Sequence, residues 1–363
     1  MGFKYYRNLL IISLFLWVVL IHSAAAKSLY VDISDATCDN AHTRAENNES
    51  EPWCDLRGFV DDSTPSTYVL QSGDIVYIKP GDYNNEQNYL WMDTLTDDII
   101  ITAYPGTEHQ ANITHHAENY DTAPNSLWAC AWNGTDSVCN TTFIYNHVDE
   151  GRLYFEDGTK CISDKYNEYD DLSGFWTSQA DYCRSKFNDS SNIIQVRMPG
   201  NASFNASEIP LFLATDYATL RIHNLNGAGK LIIANLSFRW GNRHIYIKNS
   251  SNIVLEDNKF YGGYEAVKII GGWTNHNNLV IQDNYFYGDF NPAWHIGSLK
   301  QNWDETAVIS NDGGVLENIT VTNNYIKSWG GGITLKSTGQ NNVKDSTITY
   351  NYITDGAGSQ LEI

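Results

Sequence analysis

The chain has 363 residues, 13% of them aromatic, and a formal net charge of −20 at pH 7. That balance excludes nucleic acid as a partner, because phosphate binding requires a clustered positive surface. The excess is lopsided: residues 27–220 carry 10 Lys and Arg against 31 Asp and Glu, and residues 221–363 carry 11 against 12, so an anionic polymer would be repelled by the first half and tolerated by the second.

At the start, Lys4 and Arg7 precede the apolar run Leu9 to Ile21, and Ala24-Ala25-Ala26 follows. A basic head, an apolar stretch too short to cross a bilayer comfortably and a small-residue site make a secretory signal. We expect residues 1–26 to be removed and residues 27–363 to form one secreted or cell-surface domain, monomeric and not membrane-inserted. Six cysteines (Cys38, Cys54, Cys130, Cys139, Cys161, Cys183) and no Cys-x-x-Cys suit disulfides rather than zinc or redox chemistry. Of fifteen pairings, the sequence-local one, 38–54, 130–139 and 161–183, closes the shortest loops. Ten Asn-x-Ser/Thr sequons, among them Asn112, Asn235 and Asn318, leave room for glycosylation.

The stretch Ser72 to Tyr83, SGDIVYIKPGDY, alternates apolar residues between two Gly-Asp pairs, which reads as a strand closed by the Pro80-Gly81 turn. Ile99 to Thr107, IIITAYPGT, repeats that grammar about 24 residues later. Between residues 109 and 190 the pattern fails and Cys, Trp and sequons concentrate, so an irregular, disulfide-pinned excursion is expected there, with regular coils resuming near Asn192. His115 and His116, with Glu118, resemble a metal cluster but fall in that excursion.

The second half contains five superposable segments, beginning at Leu231, Ile253, Leu279, Ile319 and Ser346 and spaced by 22, 26, 40 and 27 residues. One strand per repeat at this spacing is one coil of a parallel β-helix, and the interval of 40 is a coil with an insertion. The third position (Ile233, Leu255, Ile281, Val321, Ile348) and the eighth (Phe238, Phe260, Phe286, Ile326, Ile353) point inward. Asn258, Asn284, Asn324 and Asn351 share the sixth position and form an amide ladder along the axis. The fifth (Asn235, Asp257, Asp283, Asn323) faces solvent. A second strand follows in each coil, at His244, Ala266, Ala307, Gly332 and Ser359, and the chain stops inside the last of these at Ile363. Terminal coils need a cap, so a truncated chain is expected.

These elements, with YVDIS at Tyr30, PWCDL at Pro52 and ITAYPG at Ile101, resemble the secreted right-handed parallel β-helix proteins of the pectate lyase-like superfamily. The resemblance spans nearly the whole mature chain. It implies a single right-handed solenoid and a polysaccharide lying along one sheet, but its motifs are structural and do not specify an activity.

Candidate chemistry follows that implication. The second strand should present His244, Tyr246 and Lys248 outward, then Ala266, Lys268 and Ile270, Ala307, Ile309 and Asn311, and Gly332, Thr334 and Lys336. A Lys on such a strip can abstract the proton α to a uronate carboxylate and start β-elimination, given a cation to acidify that carbon. Lys268, Lys300 and Lys336 are the candidate bases, with His295 as a further catalytic candidate. Ile333 to Ser337, ITLKS, resembles the Lys-Ser of β-helix chondroitinase and alginate lyases. Their acidic calcium ligands just before the Lys are replaced here by Gly331 and Ile333, and their partner Arg falls near Glu362. An insertion, residues 288–305, overhangs the strip and holds Trp294, Lys300 and Trp303. Trp240, Arg243, His244, Tyr264, Trp273, Trp294, Trp303 and Trp329 are the sugar-binding candidates, since indole and phenol faces stack on sugar rings. Asp289, Asp304, Glu305 and Asp312 would supply the carboxylates of a hydrolase, without the paired Asp and Gly-His-Gly run that hydrolases of this fold usually show. Calcium is the conceivable cofactor, on Asp283, Asp289 and Asp312. The competing expectation is a non-catalytic adhesion solenoid.

Overall fold

The structure, a computed structural model, describes residues 26–59, 70–84, 89–91, 94–114, 116–119, 129–132, 136–142, 152–154, 160–164, 184–188, 193–199, 212–214, 218–239, 243–263, 265–270, 276–288, 306–310, 315–327, 331–335, 343–354 and 361–362. Three parallel sheets run the length of the solenoid, and each coil visits them in turn. The first sheet stacks Ser28–Val31, Ile75–Ile78, Ile99–Ala103, Leu231–Ala234, Ile253–Glu256, His276–Gln282 and Leu316–Thr322, and the last of these pairs with both Val343–Lys344 and Thr347–Thr349. The second stacks Gly81–Asn84, Ala111–Thr114, Ser237–Arg239, Lys259–Tyr261, Tyr285–Tyr287, Tyr325–Lys327 and Tyr352–Thr354. The third stacks Tyr89–Trp91, Ala218–His223, Arg243–Lys248, Glu265–Ile270, Thr306–Ser310, Gly331–Leu335 and Leu361–Glu362. No helix among the described residues is long and apolar enough to cross a membrane.

The repeat predicts the register. Leu231 pairs with Ile253, Ile253 with Leu279 and Leu279 with Ile319, all parallel. Ile75 pairs with Ile100, so the SGDIVYIKPGDY strand is an early coil of the same helix. The inward columns are buried except at the last coil, where Ile348 and Ile353 are half-buried, and Phe238, Phe260 and Phe286 stack with centroids 5.1 and 4.8 Å apart and planes within 11° and 8°. Ladder spacing imposes that geometry, because strands one coil apart lie about 4.8 Å from each other.

Two features of the turns explain the Asn and Asp columns. At the sixth position, the Asn258 backbone N–H and its Nδ2 both donate to Asn284 Oδ1, at 3.0 and 3.2 Å, and the pattern continues to Asn324 and Asn351. Each amide thus satisfies a turn that no strand partner reaches. The fifth position is left-handed backbone, with φ of 60° at Asn235, 50° at Asp257, 58° at Asp283 and 54° at Asn323. Asn and Asp tolerate that region best after Gly. Asp257, Asp283 and Asn323 are exposed as expected, whereas Asn235 is half-buried and donates to Thr102 Oγ1 at 3.2 Å. A second left-handed column is formed by Asn252 and Asp345, just before first-sheet strands, and by Asn278 and Asn318, within His276–Gln282 and Leu316–Thr322. Its amides form an exposed ladder, Asn318 donating to Asn278 and Asn278 to Asn252.

The excursion differs from expectation. It forms an eight-stranded, mostly antiparallel sheet with His116–Asn119, paired to Phe212–Ala214, at one edge and Ala129–Trp132 at the other. The segment near Asn192 belongs to that sheet: Ile193–Pro199 pairs antiparallel with Asp136–Thr142. Coils resume at Ala218–His223, which lies parallel to Tyr89–Trp91. The solenoid closes beneath the excursion where Asn226–Gly227 pairs with Thr94–Leu95. Gly227, at φ 111°, approaches so closely that a Cβ would stand 2.2 Å from the Leu95 carbonyl oxygen. Cys38 and Cys54 form a disulfide. Cys130 and Cys139 stand opposite each other on paired strands. Cys161 immediately precedes Ile162, which pairs with Arg184, and its expected partner Cys183 lies outside the described residues.

Candidate functional site: the outer face of the third sheet

The third sheet gathers the residues that the sequence singles out. Arg221, Tyr246, Lys268, Ile309 and Thr334 occupy one column, and His223, Lys248 and Ile270 the next. The expected coil-to-coil alignment holds. The outward direction does not hold for its first members, since His244, Ala266 and Ala307 are all 0% exposed, and Lys268 and Thr334, expected outward as well, are also buried. His244, Ala266 and Ala307 form a corner column where the chain turns in from the second sheet. The His244 ring lies 6.3 Å from Phe238 and 5.9 Å from Phe260, which removes it from any sugar-binding surface.

At the head of the strip, Glu265 holds two cations. Its Oε2 accepts from Arg243 Nε at 2.6 Å, and its Oε1 accepts from Lys268 Nζ at 2.5 Å. The carboxylate is 2% exposed, Lys268 8% and Arg243 26%, so only the guanidinium reaches solvent appreciably. Lys268, a candidate base, therefore has its nitrogen turned to Glu265. Arg243, a candidate sugar contact, is the accessible member of the clasp. Beyond it, Arg221 lies 5.7 Å over the Tyr246 ring and His223 packs 5.9 Å from the same ring. Burial, then the charges of Lys248 and Arg221, push His223 down to about 4, so it is neutral near pH 7.

Trp240, Tyr264, Trp273, Trp294, His295, Lys300, Trp303, Trp329 and Lys336 lie outside the described residues. Their chain positions are informative all the same. Trp240, Tyr264, Trp294, Trp303 and Trp329 all fall in connections that run from a second-sheet strand to a third-sheet strand, in four successive coils. The excursion departs from the same connection one coil earlier, between Ala111–Thr114 and Ala218–His223. Trp273 and Lys336 fall just after third-sheet strands.

Asp283 serves as an exposed left-handed turn residue, and its expected co-ligands Asp289 and Asp312 lie outside the described residues. Among the described residues no group of three His, Cys, Asp or Glu could hold a metal ion. Sequence reasoning missed Glu265, which it passed over as one acid among many. Its signal was the spacing: it falls three residues before Lys268 and 22 after Arg243, one coil length.

Residues 222–362 match the family model described as "Right handed beta helix region". No curated protein sequence matches the chain significantly. Among solved structures, a GH136 lacto-N-biosidase from Eubacterium ramulus shares 12% identity over 92% of this chain and 52% of that one, with a TM-score of 0.44. A complex of XylC with xylose shares 11% over 85% of this chain and 70% of that one, with a TM-score of 0.36. A family 28 exopolygalacturonase from Yersinia enterocolitica shares 12% over 93% and 67%, with a TM-score of 0.26. The chain spans about half the length of the lacto-N-biosidase. In its fold the chain is a right-handed parallel β-helix, the architecture of the pectate lyase-like proteins that its motifs resemble.

Proposed function

We propose that this protein binds polysaccharide along the outer face of the third sheet and acts outside the cell. The observation that carries the reading is the alignment of Arg221, Tyr246 and Lys268 in one column beside the Arg243–Glu265 clasp, in a sheet several of whose strands are preceded in sequence by Trp-bearing connections. Aromatic surface for sugar rings and charged groups for their hydroxyls and carboxylates are the two things an extended glycan site needs. The charges favour a uronate-bearing chain.

Catalysis by β-elimination is the more demanding form of this proposal, with Lys268, Lys300 or Lys336 as base. A non-catalytic binding solenoid is favoured by one specific observation, the engagement of the Lys268 nitrogen by Glu265. Absorbance near 235 nm separates the two. Incubation with uronate polysaccharides, with and without calcium, should raise it if unsaturated ends form, and replacing each Lys by Ala would then find the base. A flat trace with retention on the same polymers leaves the binding form. A flat trace with no retention on any glycan overturns the proposal.

A further inference from the structure

The outer face of the second sheet carries a chemistry of its own. Lys259, Tyr285, Tyr325 and Tyr352 occupy one outward column, and Arg239, Tyr261, Tyr287 and Lys327 the column two residues on. The Tyr285 and Tyr325 rings stack at 4.9 Å with planes 5° apart, and Tyr325 and Tyr352 at 5.2 Å and 17°. Arg239 lies 4.7 Å over Tyr261, and Lys327 5.7 Å over Tyr287. From Ser237 to Thr354 neither column contains an acid, and Asp82 lies two coils before Ser237 in the first of them. Asp257 and Asp283 stand on the turn before these strands, while Asp289 and Asp355, which follow Tyr287 and Thr354 in sequence, lie outside the described residues. Among the described residues Arg239, Lys259 and Lys327 form no ion pair, in a chain whose net charge is −20.

Stacking decides what such a surface recognises. Rings closed face to face leave the inner faces of the stack unavailable to the apolar side of a neutral sugar, with the far face of the terminal Tyr352 uncovered by a ring. They turn outward their edges, the positive rim of the aromatic quadrupole, and their phenolic O–H donors. Edges, hydroxyl donors and three cations all complement anionic oxygen.

We propose that this face is a second glycan site, selective for acidic polysaccharide whose carboxylates lie along the solenoid axis against Lys259, Arg239 and Lys327. The inference rests on the reading of the chain as polysaccharide-binding and adds a separate surface to it. Affinity electrophoresis of the whole chain through gels containing alginate, dextran sulfate or neutral dextran tests it. The expected result is retardation by alginate and not by neutral dextran, weakened about tenfold by the double change Lys259→Glu/Lys327→Glu, as loss of charge-assisted contacts requires. Tyr285→Phe/Tyr325→Phe, which keeps the stack and removes its donors, should weaken it less, and Arg221→Gln/Lys248→Gln on the third sheet should leave the second-sheet share intact. Retardation by dextran sulfate equal to that by alginate would show that charge alone, and not the carboxylate, is read, and would overturn the stated class. Alginate binding unchanged by both second-sheet doubles, with unaltered thermal midpoints, would overturn this site and leave the third-sheet proposal standing. No retardation in any gel would overturn both.

Discussion

His244 is a buried titratable group in an otherwise aromatic layer. It donates from Nε2 to the Gly262 carbonyl at 2.8 Å, and burial pushes it down to about 4. An unfolded chain holds its histidines near 6.5. Between those values the unfolded state binds the extra proton, so the stability tied to this site is complete above about pH 6.5 and falls as the pH drops toward 4, by roughly 3 kcal/mol. His276, lowered by burial in the same direction, adds to the slope. His244→Phe should flatten the pH dependence of the urea midpoint between pH 7 and 4.5. Asp74 makes the opposite kind of buried site, fully enclosed but partnered: it accepts from Arg44 at 2.5 and 2.7 Å, from the Gln71 backbone at 2.9 Å and from the Lys27 backbone at 3.0 Å. It ties the first two strands of the first sheet together. Asp74→Ala strands the partly buried Arg44 and should cost about 3 kcal/mol in chemical denaturation.

At the scale of the element, the Phe stack and the Glu265 clasp make contrasting claims. Phe260→Ala empties a slot between two parallel rings and should cost about 3–5 kcal/mol by urea unfolding. Glu265→Gln strands the nearly buried Lys268 and should cost about as much, whereas Lys268→Met, which removes the charge and keeps the stem's volume, should cost much less. The inward columns were legible in the sequence because a coil repeats its side-chain directions at 22 to 27 residues. The fifth-position Asn and Asp were legible as a column but not for their cause, since a positive φ has no period of its own. The corner column escaped because strict alternation places His244 outward, and only the turn from the second sheet brings it in. The tyrosine column lies one residue before an inward column already explained by packing, so nothing marked it. The excursion sheet was illegible for a different reason: Asp136–Thr142 and Ile193–Pro199 pair across more than fifty residues without a repeat.

Across the whole molecule, the solenoid places its insertions in one connection. The excursion and residues 288–305 both fall in the chain between a second-sheet strand and a third-sheet strand, and the coil-to-coil ladder continues across both. In a stack where each coil touches only its neighbours, such additions cost the core little. The charge follows the same division, near neutrality over residues 221–363 and strong acidity before them. Binding of an anionic glycan should therefore weaken as salt rises, and titration calorimetry at two ionic strengths checks this. The most direct test of the central claim is a crystal structure of the protein with a uronate oligosaccharide. The account predicts sugar density across Arg221, Tyr246 and the Arg243–Glu265 clasp on the third sheet. Density elsewhere with that face bare, from crystals in which the face is open to solvent, would contradict it.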